Sequence, residues 1–268
     1  MSALLRGGNW PVEWPLSGIL AAALLYRIGR RGTERRGASA CFYAGLLVLV
    51  LAVDSPVDAY ADRLFWVHMV QHVLLTMVAP PLLLLGRPWP RLVRPLPLEL
   101  RRPVVRALGA CRVVASPLPA FVLFSIVLVA WHVPSLFDLT LRNRLAHDLE
   151  HTLFFGSAVL LWAHLAPTSR RPRLSDLQRV AYGVGAIVVS WAIAVVLGLA
   201  SHPLYAPYAA LAHRPGGLSA LADQQLAAGI MWVPASVPFT IAVLVAAYRF
   251  VEPRRERGAV RDLRPRET

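Results

Sequence analysis

The 268-residue sequence contains no lysine: all 28 of its basic residues are arginine. A retinal-binding helix bundle, or any other Schiff-base protein, needs a lysine amine, so that chemistry is excluded. Charge of either sign is scarce. Charged residues make up 16% of the chain, where a soluble domain carries about 25%. Acidic residues are fewest, 15 against the 28 arginines, for a formal charge of +13. Two cysteines, Cys41 and Cys111, are too few for a disulfide framework. The N-terminal stretch reads as lacking a secretory leader, since Arg6 stands alone and Asn9 to Pro15 interrupts the apolar run with no small-residue cleavage site. What is abundant is apolar sequence, 56% of the residues, with a mean hydropathy of +0.52. That balance points to a membrane protein.

A membrane helix needs about 20 mostly apolar residues to cross about 30 Å of hydrocarbon. Seven stretches qualify as candidates: 12–28, 38–53, 64–85, 117–137, 147–166, 180–200 and 225–248. The first is the least apolar because Glu13 and Pro15 sit near its start, and Pro134 and Pro234 lie where a helix would kink.

A charge of +13 ordinarily suggests a nucleic-acid partner, but the arginines do not form one basic face. Twenty-three of the 28 fall in alternate connections: after the first, third, fifth and seventh stretches. The other connections hold only Arg6, Arg63, Arg142, Arg144 and Arg214. A bias of this kind marks the cytoplasmic side. It predicts an all-α bundle of seven transmembrane helices with the N-terminus outside and the C-terminus cytoplasmic. One domain would cover 1–250, and an Arg-rich cytoplasmic tail would cover 251–268. The arginines then report orientation and contact anionic lipid headgroups, and no nucleic-acid partner is expected.

With that orientation, seven of the eight histidines fall on the outer side and only His164 on the inner. His68/His72 and His147/His151 each have i, i+4 spacing, which puts both imidazoles on one helix face about 6 Å apart along the axis. Counting ~1.5 Å per residue, His72 and Met231 each lie about 12 Å, and His132 about 7 Å, below the outer helix ends. Ionisable groups at such depth are costly and mark function. Five histidines in one layer on three helices read as a metal or haem site, with a hydrogen-bonded polar network as the alternative.

Imidazole with thioether, from Met69, Met77 or Met231, suits copper, and imidazole alone suits copper, zinc or iron. No thiolate faces outward, so a Cys-type structural zinc site is excluded. His147-Asp-Leu-Glu150-His151 formally matches a metallopeptidase pattern with two ligands and a glutamate base, but no later outer-side glutamate completes it. Bis-histidine haem needs facing helices with room for a macrocycle.

The same residues carry a family likeness. His68-Met-Val-Gln-His72 followed by Ala79-Pro-Pro81, then Trp131-His132-Val-Pro134 with Phe137-Asp138, then His147 and His151, then Asp223-Gln-Gln225 with Gly229-Ile-Met231-Trp-Val-Pro234, resembles the CtaG-like cytochrome c oxidase assembly factors. These are polytopic bacterial membrane proteins, distinct from the single-span copper chaperone that shares the name. The likeness runs from about residue 60 to about residue 240. It implies a multi-pass protein of the bacterial plasma membrane, acting in maturation of a haem–copper terminal oxidase. Its implied role is to supply copper to an oxidase subunit rather than to catalyse a reaction. The expected ligands are His68, His72, His132, His147, His151 and Met231. Glu150, Asp223 and Gln224 would stand behind them, the carboxylates orienting imidazoles through their second N–H. His202 and His213 lie outside the matched motifs. A membrane metalloenzyme using the same cluster, or a metal-free assembly scaffold, are the alternative readings.

Overall fold

The computed structural model describes residues 14–30, 36–166 and 173–252, and among them there is helix and no strand. Helix α1 (Trp14–Ile28) is followed by α2 (Arg36–Val53) and a short α3 (Pro56–Ala61). Ser55 caps α3 by accepting the Val57 N–H at 3.0 Å, with Pro56 at the first helical position.

The next apolar stretch is one rod in three pieces: α4 (Phe65–Val73), a π turn (Leu74–Val78) and α5 (Ala79–Leu85). Pro80 and Pro81 explain the wide turn. Neither has an N–H to give to the carbonyl four residues back, so the ladder shifts there to an i→i+5 bond from Ala79 to Leu74. The Thr76 carbonyl, opposite Pro80, is instead satisfied by the Trp162 indole N–H at 2.9 Å.

Helices α6 (Pro88–Val93) and α7 (Leu98–Ala110) follow; α7 carries Arg101, Arg102 and Arg106 and buries no residue. Helix α8 (Pro117–Trp131) meets α9 (Pro134–Thr140) at a 79° bend, placed by Pro134, which cannot continue α8. Helix α10 (Arg144–Leu165) starts under an Asn143 cap. Helix α11 (Asp176–Leu199) starts with a reciprocal Ser175/Gln178 capping box. A connection containing α12 (Ala206–Ala209) leads to α13 (Ala220–Trp232) and α14 (Ser236–Val251), which break at Pro234.

Among the described residues, four segments are long and apolar enough to cross a membrane: 37–61, 65–85, 176–199 and 220–251. The bent pair α8–α9 makes a fifth if it is one span. Helix α1, at 15 residues, is too short by this measure. Helix α10 has 22 residues, but Arg144, His147, Asp148, Glu150 and His151 lower the hydropathy of its first two turns. Of the seven expected spans, then, four to five meet the length and hydropathy of a crossing helix. Of the arginines, Arg6, Arg31, Arg35, Arg170, Arg171 and those after Glu252 lie outside the described residues, as does nearly all of the expected tail.

Outward helix faces carry Leu47, Ile126, Val188, Val196, Ile241 and Leu244, all exposed. Contiguous apolar surface of this kind belongs against lipid rather than water. Inside, α10 packs against α8, α9, α5 and the π turn, and α4 against α13. Phe124, Phe154, Leu161, Trp162 and Phe239 form the largest core cluster, with Trp162 stacked on Phe239 at 5.0 Å between ring centres. In lipid, such packing and interhelical hydrogen bonds, rather than water exclusion, hold helices together. A second cluster ties α1 to α2, where Tyr26 stacks on Phe42 at 3.7 Å. Arg91 lies over the Tyr26 ring at 4.3 Å.

Candidate metal centre

The two i, i+4 histidine pairs face each other across the α4–α10 contact. His68 and His72 lie on α4, His147 and His151 on α10. Ring centres are 5.6 Å apart for His68–His147 and 5.5 Å for His72–His151. Glu150, fully buried, places its carboxylate 3.9 Å from His68 Nε2 and 3.8 Å from His72 Nε2. One ligand atom from each of His68, His72, Glu150 and His151 lies within 4.8 Å of the other three. Three imidazoles and a carboxylate are a donor set for zinc, copper or iron.

Around this quartet, hydrogen bonds determine where the imidazole protons sit. The Tyr208 hydroxyl donates to the Ala61 carbonyl, which uses its one proton. His68 Nδ1, 3.1 Å from the same hydroxyl, must therefore be the donor to it. In a neutral ring that leaves His68 Nε2 with its lone pair, facing the quartet. His72 Nε2, at 2.9 Å, then donates to it. An imidazole with one nitrogen tied up in this way is the ordinary environment of a metal-bound histidine. Burial, then the nearby Asp62, Asp223 and Glu150 carboxylates, hold the Tyr208 phenol well above its usual value, so it stays a donor.

Asp223 and Gln224 sit elsewhere. The Asp223 carboxylate accepts the backbone N–H groups of Phe65 and Trp66, each at 3.0 Å. It thereby caps the first turn of α4 from α13, and its Oδ2 lies 3.9 Å from Arg214 Nε. Gln224 accepts from the Leu204 N–H at 2.7 Å and donates to the Leu197 carbonyl at 3.0 Å. Asp223 thus fixes the start of α4 one turn before His68, and Gln224 ties α13 to the end of α11. His132 and Met231 line a separate small cavity on the far side of His72. His147 adjoins His68 and His151 without joining the quartet. His202 and His213 are exposed, and His164 lies 3.1 Å from the Ala115 carbonyl.

Three contributors were assigned no role from the sequence. Tyr208 and Tyr205 come from the connection before α13, where the only hint was aromatic residues flanking Pro207. Gln71, fully buried between the two histidines of α4, donates to the Ala52 carbonyl and to Asp58 at 2.8 and 2.7 Å.

A large cavity of about 610 Å³ runs along α10, mostly between apolar side chains of α1, α2 and α5. One end is polar, lined by Asp58, Asp62, Arg142, Arg144, His147 and His151. It therefore reaches the imidazole cluster from outside the core.

An uncharacterized protein of Mycobacterium bovis and one of Mycobacterium tuberculosis are each 29% identical over 255 residues, covering 87% of this chain. One of Mycobacterium leprae is 26% identical over 240 residues, covering 85%. The chain spans only 38%, 38% and 36% of the length of these relatives. No solved structure matches. Residues 20–252 match the family described as cytochrome c oxidase caa3 assembly factor (Caa3_CtaG), a range that takes in every element from α2 to α14 and all eight histidines. By that match the chain belongs to the caa3-type cytochrome c oxidase assembly factors.

Proposed function

We propose that the protein takes up copper near the outer face of the bacterial plasma membrane and passes it to a subunit of a haem–copper oxidase during assembly. The observation that carries this reading is the buried quartet of His68, His72, Glu150 and His151, in a family of oxidase assembly factors. Copper is here the cargo, and the protein a carrier rather than a catalyst. One feature supports exchange rather than permanent capture: the 610 Å³ cavity reaches the neighbouring His147 and His151 as an access route.

In this reading α1 and α10 also cross the membrane, giving seven spans with the N-terminus outside and the C-terminus cytoplasmic. The support for α10 is that Glu150 is turned inward to the cluster and fully buried, so its charge never meets lipid. Helix α7, with no buried residue and three arginines, lies along the inner leaflet and meets anionic headgroups.

The test is anaerobic copper titration of the purified protein, with oxidase activity of cells carrying the variants. Wild type is expected to bind copper, and the His68→Ala/His72→Ala double variant to lose both binding and oxidase maturation. Absence of any bound transition metal, with normal oxidase activity in the double variant, overturns the proposal and leaves a metal-free assembly role.

A further inference from the structure

His72 has two ring nitrogens, and the quartet uses only one. The other, Nδ1, is buried and makes no hydrogen bond among the described residues. His72 also lines a second cavity of about 30 Å³, between α4, α8, α11 and α13. His132 Nε2 and the Ser190 hydroxyl, from two other walls of that cavity, are likewise buried without a hydrogen-bond partner. Buried polar atoms are ordinarily partnered, so three around one small space point to a guest. The space exceeds the roughly 10–15 Å³ that a single water or ion requires.

The proton positions say what kind of guest. His132 Nδ1 donates to the Leu128 carbonyl at 2.7 Å, so its Nε2 carries the lone pair. His72 donates from Nε2 to His68, as the Tyr208 relay requires, so its Nδ1 carries the lone pair. Two imidazole lone pairs therefore face the cavity. The rest of the wall is more telling. The chain has four methionines, one of them Met1. The other three, Met69 on α4, Met77 in the π turn and Met231 on α13, all line this cavity. Their thioether sulfurs are soft and polarizable. Imidazole with thioether is the donor set of a soft cation.

We infer that this cavity is a second metal station, selective for a soft monovalent cation, Cu(I) in the cell, held by His72 Nδ1, His132 Nε2 and methionine sulfur. The identity of the cell's metal rests on the copper reading above; the site itself rests on the cavity. A neutral imidazole has one lone pair, so His72 serves the outer quartet or the inner cavity, but not both at once. The shared ring makes the stations successive positions for one ion.

Silver(I) is a redox-inert probe for the inner station and Zn²⁺ for the outer. X-ray absorption of Ag⁺ bound to the full-length Cys41→Ser/Cys111→Ser chain in detergent, which removes the two free thiols that would otherwise capture a soft cation, is expected to show sulfur as well as nitrogen in its coordination shell. Met231→Leu, which conserves volume, is expected to weaken Ag⁺ by about tenfold or more, a difference of about 1.4 kcal/mol. Glu150→Gln is expected to weaken Zn²⁺ while leaving Ag⁺ within about a factor of two. Zn²⁺ loading is expected to raise the apparent Ag⁺ Kd through competition for His72. A nitrogen- and oxygen-only shell, in the wild-type protein or in the cysteine-free one, overturns the inference, as does Ag⁺ binding unchanged when Met69→Leu/Met77→Leu/Met231→Leu is made in the cysteine-free chain. A cavity that holds only water gives that result. If Zn²⁺ and Cu²⁺ fail to bind while the sulfur shell persists, the outer-station reading falls and the inner site stands.

Discussion

Tyr208 and His68 are 140 residues apart, yet the tyrosine hydroxyl lies 3.1 Å from His68 Nδ1 and, having donated its own proton to Ala61, compels that nitrogen to be the donor. The lone pair of His68 is thereby aimed at Glu150, His72 and His151. Tyr208→Phe keeps the ring and removes the acceptor. Metal affinity is expected to fall about 10–100-fold, the usual effect of losing a partner of a metal-bound histidine. Competition against a chelator of known affinity measures it, and an unchanged affinity would separate Tyr208 from the site.

Asp223 acts on the site at one remove, by receiving the first two N–H groups of α4. Asp223→Ala leaves both donors and Arg214 without the carboxylate. The expected loss is about 2 kcal/mol, the upper end for a helix cap. Asp223→Asn, which keeps one acceptor oxygen, is expected to lose less. Thermal unfolding in detergent ranks the three proteins. An alanine variant as stable as wild type would show that α4 needs no cap from α13.

Trp162 supplies the N–H that Pro80 cannot give to Thr76. Trp162→Phe keeps an aromatic ring against Phe239 but strands the carbonyl, at a cost of about 1–3 kcal/mol. Denaturation midpoints test this, and Trp162→Phe with Pro80→Ala is expected to recover part of the loss by restoring a backbone donor.

Gly29 is required by a close approach. A Cβ at that position would stand 2.0 Å from the Arg91 carbonyl oxygen. Gly29→Ala must push α6 away from α1, disturbing the Arg91 guanidinium over Tyr26. Overpacking of this kind costs about 1–3 kcal/mol, readable as a lowered unfolding temperature with metal binding retained.

Much of the centre was legible along the chain because its parts are local. The i, i+4 spacing of His68/His72 and His147/His151 is a property of any helix, and Glu150 sits within the second pair. Pro134 marked a break, and the structure has a 79° bend there. Contacts between distant segments left no such trace. Nothing near Asp223 says that it caps a helix 158 residues earlier, and nothing near Tyr208 says that it reaches His68. The span count was harder for a physical reason. The polar residues that α10 brings to the histidine cluster are the ones that lower its hydropathy below that of a crossing helix. The π turn was not foreseen either: 64–85 read as one unbroken stretch, and nothing along the chain says that a wider bond pattern and Trp162 carry the rod past Pro80 and Pro81.

That wide turn also sets the rotational phase of everything below it. One extra residue in a helix turns the following segment by about 100° relative to an unbroken α-helix. The histidines of α4 lie above the turn and Met77 lies within it. A single-residue deletion between Leu74 and Val78 would keep every side chain named in this centre except the one removed. It would nevertheless rotate α5 against α2 and α10, and swing its leucines off the faces they now cover. The length of this five-residue segment is therefore itself a functional parameter: the upper half of the rod is keyed to the histidine cluster, the lower half to its neighbouring helices, and the turn keeps the two in register.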